Sequence, residues 1–194
     1  MYKRKSKIMD DGAIDRALTR IAHEIIEHNA TCSSLLIVGI KRRGFPLAQI
    51  IAENITRFSS IKTELAEITI TRYRDDLDED TEKADFDTEQ AFEVKNKTII
   101  LVDDVLHTGR SVRAAIDALM SMGRPASIQL AVLVDRGHRE LPIRGDYVGK
   151  NIPTSKKELV AVRLPGFDKT EEKEVVILEK IPTPSKISPI INEI

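Results

Sequence analysis

Two adjacent carboxylates, Asp103 and Asp104, are followed by a turn of small and hydroxylated residues, His107-Thr-Gly-Arg-Ser111. Neighbouring carboxylates are acceptors suited to a vicinal diol such as ribose O2 and O3, or to a Mg²⁺ ion carried on that diol. The turn suits an anion. Thr108, Gly109, Arg110 and Ser111 stand where the next helix would begin, and the unpaired N–H groups and partial positive charge of a helix N-terminus can hold a phosphate monoester without a lysine. Gly109 allows the close approach and unusual φ that such a turn demands. A diol site and a phosphate site on one short segment describe a ribose 5-phosphate. The plainer alternative is an Asp-Asp turn whose carboxylates only cap the next helix; the full pattern of apolar run, Asp-Asp and Thr-Gly-Arg-Ser asks for more than a cap.

The flanking residues supply the elements that would position this chemistry. Residues 98–102 form a short β-branched apolar run, as expected of a parallel strand buried on both faces, and the Asp pair sits where that run ends. Val112, Ala115, Ile116, Leu119 and Met120 then recur at helical spacing, and Gly123 and Pro125 stop the helix. The arrangement repeats upstream: an apolar strand over 35–40, the basic loop Lys41-Arg-Arg-Gly44, and a helix from 45 to about 58 with Leu47, Ile50, Ile51, Asn54 and Phe58 inward. Such a loop can offer N–H groups and guanidinium charge to an anion, and equally serves as a solvated connection. Residues 12–29 form a helix buried through Ile14, Leu18, Ile21 and Ile25. At about 100° per residue, Arg16, Thr19, Arg20 and His23 share its opposite sector, which Glu27 continues. From spacing alone that stripe reads as an ordinary solvated face. Strands are expected over 65–73, 127–134, 159–162 and 174–178. Alternating strands and helices imply an α/β fold with a doubly wound, mainly parallel sheet and ligands beyond the strands' C-terminal ends.

Composition narrows the partners. The 194 residues suit one domain, residues 1–180, followed by a Pro-rich tail, 181–194, expected to be extended and poorly ordered. Thirty basic against 31 acidic side chains leave no net attraction to nucleic acid, so any RNA site must be a local patch. Cys32 is the only cysteine, which excludes an intrachain disulfide and fits a reducing cytosol. No apolar segment approaches the ~20 residues that span a bilayer, so no membrane partner and a cytoplasmic location are expected. Residues 1–7 carry four basic residues without a following apolar segment and read as a solvated terminus. From 75 to 93 there are ten acidic residues and one Lys, the composition of a mobile loop.

Val102-Asp-Asp-Val-Leu-His-Thr-Gly-Arg-Ser111 resembles the PRPP-binding signature of the type I phosphoribosyltransferases. Val38-Gly-Ile-Lys-Arg-Arg-Gly44, Tyr73-Arg-Asp-Asp-Leu77, residues 130–144 and Asp146-Tyr-Val-Gly-Lys-Asn-Ile-Pro-Thr-Ser155 are similar to the bifunctional pyrimidine operon attenuation regulators and uracil phosphoribosyltransferases. The resemblance covers about residues 10–163 and implies the type I phosphoribosyltransferase fold with a small hood lobe from terminal segments. It implies a reaction, uracil plus PRPP giving UMP and pyrophosphate, with Mg²⁺ as cofactor. Asp103 and Asp104 would hold ribose and, mainly through the ligand, the metal; Thr108, Gly109, Arg110 and Ser111 the 5′-phosphate; and Lys41, Arg42, Arg43 and Gly44 pyrophosphate, often with a non-proline cis peptide. Arg72, Tyr73 and catalytic Arg74 would lie on a loop that closes over PRPP. Tyr147, Val148 and Gly149, beside Asp146, would hold the base, although Tyr147 equally suits a packed aromatic, and Arg136 or Arg139 could complete anion binding. By the same resemblance Arg16, Thr19, Arg20, His23, His138, Arg139 and Lys150 would contact pyrimidine-operon leader mRNA under the control of UMP, in a homodimer or larger homo-oligomer. His107 stands where purine-specific relatives carry a carboxylate, and Arg42 where the regulators often have Thr. Two other readings fit the same residues: a phosphoribosyltransferase without RNA regulation, and a nucleotide sensor without turnover.

Overall fold

A computed structural model describes residues 2–70 and 92–181. Most of the acidic stretch, the Pro-rich residues 182–194, and Arg72, Tyr73 and Arg74 lie outside the described residues. The alternation of side chains along the central strands sets the layers. In β2 (Ser34–Ile40), β4 (Thr98–Leu106) and β5 (Ser127–Asp135), residues Leu35, Ile37, Ile100, Val102, Ala131 and Leu133 join one core with α1 (Asp11–His28) and α2 (Gly44–Phe58). Their neighbours Leu36, Val38, Ile99, Leu101, Leu130 and Val132 join a second core with α3 (Arg110–Met122). Helices therefore cover both faces of a five-stranded, all-parallel sheet of order β3-β2-β4-β5-β6, completed by β3 (Lys62–Ile68) and β6 (Tyr147–Asn151). The expected doubly wound sheet is present.

Local chemistry fixes the helix ends. The Asp10 carboxylate accepts the Ala13 N–H at 2.8 Å and starts α1. Pro46 lies in the first turn of α2, where its missing N–H costs nothing. Gly123, at φ 156°, ends α3 as expected.

A second sheet, antiparallel in the order β1-β8-β7, forms the hood from β1 (Tyr2–Met9), β7 (Glu158–Arg163) and β8 (Glu174–Lys180). The basic N-terminus is thus a strand rather than a solvated end. Its cations have acidic partners across the hood: Lys5 pairs with Glu158, and Arg4 and Lys7 approach Glu174 at 3.5 and 3.9 Å. Met9 is buried and Ile8 packs against the α1-side core.

Two expected core positions differ. The buried stripe of α2 is Leu47, Ala48, Ile51, Ala52 and Ile55, whereas Phe58 is 42% exposed. Met120 is 60% exposed because Ala114 and Ala118 fill the inner face of α3 instead. Small residues bring α2 close to the sheet, and the larger apolar side chains at the helix margins are left outside. Leu65 is likewise exposed, on the edge strand β3, which ends at Ile68. No helix among the described residues is long and apolar enough to cross a membrane.

Gly39 has no room for a side chain: a Cβ there would lie 2.3 Å from the Phe45 Cα. Gly39→Ala should destabilise the protein by about 2 kcal/mol or more in urea unfolding, whereas Gly12→Ala, at an exposed helical position facing the end of the flexible Arg16 side chain, should be neutral or slightly stabilising. Equal stability of the two variants would contradict the close approach of α2 to β2.

Candidate active site

β4 continues beyond the 98–102 run to Leu106, because Val105 and Leu106 extend the apolar pattern and pair with Val134 and Asp135 of β5. Asp103 and Asp104 therefore lie inside the strand rather than at its end. Asp103 is buried, and its Oδ1 accepts the Asp104 N–H at 2.9 Å. Asp104 Oδ1 accepts the Val105 N–H at 2.8 Å. Burial pushes the Asp104 carboxyl above the ordinary aspartate range, against the opposing pull of the Arg43 guanidinium. A carboxylate raised by burial in this way is disposed to accept a cation or hydroxyl donors from a ligand.

The turn after β4 has the expected form. Gly109 adopts φ 94° and precedes α3, whose first turn holds no acidic residue and whose first N–H, that of Arg110, meets the Thr108 hydroxyl at 3.3 Å. Its positive end is thus left for an anion. The Thr108 carbonyl accepts the Glu140 and Leu141 N–H groups at 3.0 and 3.1 Å, and Arg110 pairs with Glu140 at 2.8 Å, so the 137–143 segment braces the turn.

The basic loop meets this segment through glycine. A Cβ on Gly44 would come within 2.4 Å of the Val102 carbonyl oxygen, so the start of α2 rests directly on β4 beside the Asp pair. The Lys41–Arg42 peptide is cis, as the resemblance implied, and both side chains are exposed. Arg43 is already engaged. Its guanidinium donates to Asp168 at 2.7 and 3.3 Å and ties the loop to the segment between β7 and β8. Nothing in the sequence joins these two residues, which are 125 positions apart.

The strand ends beside the turn carry two histidines. The rings of His107 and His138 meet edge to face at 6.2 Å, and His138 Nε2 lies 2.6 Å from the Thr154 carbonyl oxygen. Burial, followed by the Arg136 cation, pushes His107 below the usual imidazole range and favours its neutral form. Arg136 and Arg139 do not reach for an anion. Arg136 is buried and donates to the Ser155 and Glu158 carbonyls at 3.1 and 2.7 Å, while Arg139 pairs with Asp135 and donates to the Ile143 and His107 carbonyls at 2.8 Å each. Both clamp the loop that leaves β5.

The 147–149 segment is likewise hydrogen-bonded within the protein. Tyr147 is 3% exposed, and its hydroxyl donates to Gln129 Oε1 at 2.6 Å in a network with Asn29; burial holds that phenol at about 12. It is the packed aromatic of the two alternatives. The Val148 and Gly149 carbonyls accept from Arg20 Nη2 at 2.9 and 2.7 Å, and Gly149 lies flat on Leu133.

On the outer side of α1, Arg16, Thr19, Arg20 and His23 line one surface hollow with Asp15, of about 430 Å³. Thr19 donates to the Asp15 carbonyl at 2.8 Å, Arg20 also pairs with Glu24, and Lys150 is exposed on β6. Among the described residues no group of three or more His, Cys, Asp or Glu side chains is placed to hold a metal ion alone.

Comparison with known proteins agrees with this geometry. The phosphoribosyl transferase domain family matches residues 5–165. The chain is 56% identical over 176 residues to the bifunctional protein PyrR of Clostridium acetobutylicum, covering 90% of this chain and 98% of that one. It is 52% identical over 181 residues to that of Oceanobacillus iheyensis, covering 92% and 99%. Among solved structures, a Trypanosoma cruzi hypoxanthine phosphoribosyltransferase superposes with a TM-score of 0.70 at 16% identity, over 91% of this chain and 92% of that one. A Bacillus anthracis hypoxanthine-guanine phosphoribosyltransferase gives 0.66 at 14% identity, over 90% and 99%; at such identities the likeness is one of fold. The chain thus belongs to the type I phosphoribosyltransferases, in their PyrR branch of bifunctional regulators and uracil phosphoribosyltransferases.

Proposed function

We propose that the site between β4, α2 and α3 joins uracil to the ribose of PRPP, and that the UMP formed favours a state of the protein that binds pyrimidine-operon leader RNA. The observation that carries the chemistry is the docking of the Lys41-Arg42-Arg43 loop onto the Asp103–Asp104 strand at Gly44, beside the open N-terminus of α3. Those three features match the pyrophosphate, diol and 5′-phosphate of one substrate. In the reaction, uracil N1 forms a bond to ribose C1 as the bond from C1 to pyrophosphate breaks; the departing oxygen takes the electron pair, and the N1 proton leaves to water or to the released pyrophosphate. Asp103 and Asp104 accept hydrogen bonds from ribose hydroxyls and place negative charge near the positive charge that develops on the ring. Residues 108–111 hold the phosphate end, so C1 is fixed between two anchored anions. Arg74, on the 72–74 segment, belongs to the same machinery by resemblance.

Two carboxylates without a third ligand fit a Mg²⁺ that arrives with PRPP rather than one held in a protein cage. Bound there, the ion would neutralise leaving-group charge. Neutral His107 offers no permanent carboxylate to a purine ring, which supports uracil. By resemblance the base lies beside the 147–149 segment, which Tyr147 supports from the core. Regulation by UMP requires only that it bind the RNA-competent state more tightly. A cytoplasmic homo-oligomer, at least a dimer, completes the proposal.

Incubation with PRPP, Mg²⁺ and uracil, orotate, hypoxanthine or guanine tests the reaction. UMP from uracil is expected, and no product from any base would leave only the sensor. Asp104→Asn should lower kcat/KM by about 100-fold or more; a near-normal value would remove Asp104 from the site. Burial raises the Asp104 pKa, so the ionised form that binds PRPP and Mg²⁺ is lost as pH falls through that raised value. The KM for PRPP should rise on the acid side at a higher pH than an ordinary aspartate would give, and Asp104→Asn should abolish that dependence. For RNA, Arg16→Ala should weaken leader binding while sparing turnover and reduce the salt slope by about 1; an unchanged slope would separate Arg16 from the phosphates.

A further inference from the structure

The outer face of α1 does not stand alone. Phe58, the last residue of α2, was expected inward but is 42% exposed, and its ring stacks on His23 with centroids 4.7 Å apart and planes 30° from parallel. The Arg57 guanidinium lies 5.3 Å from the same Phe58 ring centroid. His23 in turn borders the hollow lined by Asp15, Arg16, Thr19 and Arg20. An exposed phenylalanine at a helix end, stacked on a histidine and flanked by a cation, is an arrangement with an apolar face and a positive rim.

We infer that Phe58, with Arg57 against its ring, backs the His23 ring as a stacking platform for one unpaired base of the leader RNA. The inference rests on the RNA reading above and extends that surface from α1 onto α2. Every nucleobase presents a π-face, and unpaired bases in RNA loops are held mainly by stacking on aromatic side chains and by arginine. His23 alone could rotate; Phe58 behind it fixes the plane and adds ring area. The acids of this face are largely compensated: Glu24 pairs with Arg20, and Asp15 with Lys173 at 2.7 Å, leaving exposed Glu27 one turn from His23. Among the described residues neither Arg16 nor Arg57 is engaged in an ion pair, so both charges are available to phosphates. A single ring between cations is too small to anchor a protein interface, which typically needs roughly 1,000 Å² or more. It matches the area of one base.

The test compares the full chain with Phe58→Leu and Phe58→Tyr, measuring affinity for a leader hairpin across a salt series with UMP present, together with melting temperature and oligomeric state. Phe58 is a positioning residue, so Phe58→Leu should weaken binding about fivefold to tenfold with the salt slope unchanged, since no charge is removed. Phe58→Tyr should restore it. Leader binding by Phe58→Leu equal to that of the parent, or failure of Phe58→Tyr to restore a loss, would overturn the inference. So would a change of oligomeric state in Phe58→Leu, which would make the face a contact between copies of the chain. Failure of the parent itself to prefer leader over scrambled RNA would instead overturn the RNA reading on which the inference rests.

Discussion

The contact between Gly44 and the Val102 carbonyl holds the site together. A parallel sheet leaves its strand ends a fixed distance apart, and loops that follow neighbouring strands ordinarily meet through side chains. Here a Cβ at Gly44 would fall 2.4 Å from a backbone oxygen, and one at Gly39 2.3 Å from the Phe45 Cα, so β2, β4 and the first turn of α2 touch backbone to backbone. Three cationic residues are thereby held beside two carboxylates. The same approach accommodates Ala48 and Ala52 between Leu47, Ile51 and Ile55 on the inward face of α2.

Charge is distributed around that contact in a way that leaves work for a ligand. Arg43 could have neutralised Asp104 outright, but its guanidinium is held by Asp168, and the Asp104 carboxyl remains above its ordinary range. The pairing also fastens the hood to the sheet, because Asp168 additionally accepts the Leu164 N–H at 3.0 Å. Arg136 and Arg139 serve the other rim by donating to the Glu158 and His107 carbonyls. Cations beside a phosphate site are therefore not interchangeable. Some meet substrate, and others build the wall against which substrate lies.

The central unit was legible because its signals are local: a β-branched run, two carboxylates, a glycine turn and a 3.6-residue stripe all lie within 25 residues of one another. The parallel sheet and hood followed from alternation and family likeness. What stayed hidden depends on pairing across the chain. The basic N-terminus carries no mark of a strand until β8 supplies a partner. The fate of Arg43, Arg136 and Arg139 turns on acceptors that no spacing reveals, and Tyr147 could be placed only once Asn29 and Gln129 were seen beneath it. Phe58 fell on the inner face by periodicity, yet the small residues that let α2 sit close to the sheet left no space there for a ring.

The central claim is that one nucleotide site serves both catalysis and regulation. Its most direct test is the affinity of the purified chain for a pyrimidine-operon leader RNA at fixed salt, with and without UMP, against a scrambled RNA of the same length. Selective binding that UMP tightens several-fold is the predicted result, and by linkage the RNA should tighten UMP by the same factor. Equal, weak binding to both RNAs, indifferent to UMP, would contradict the account and leave a phosphoribosyltransferase alone.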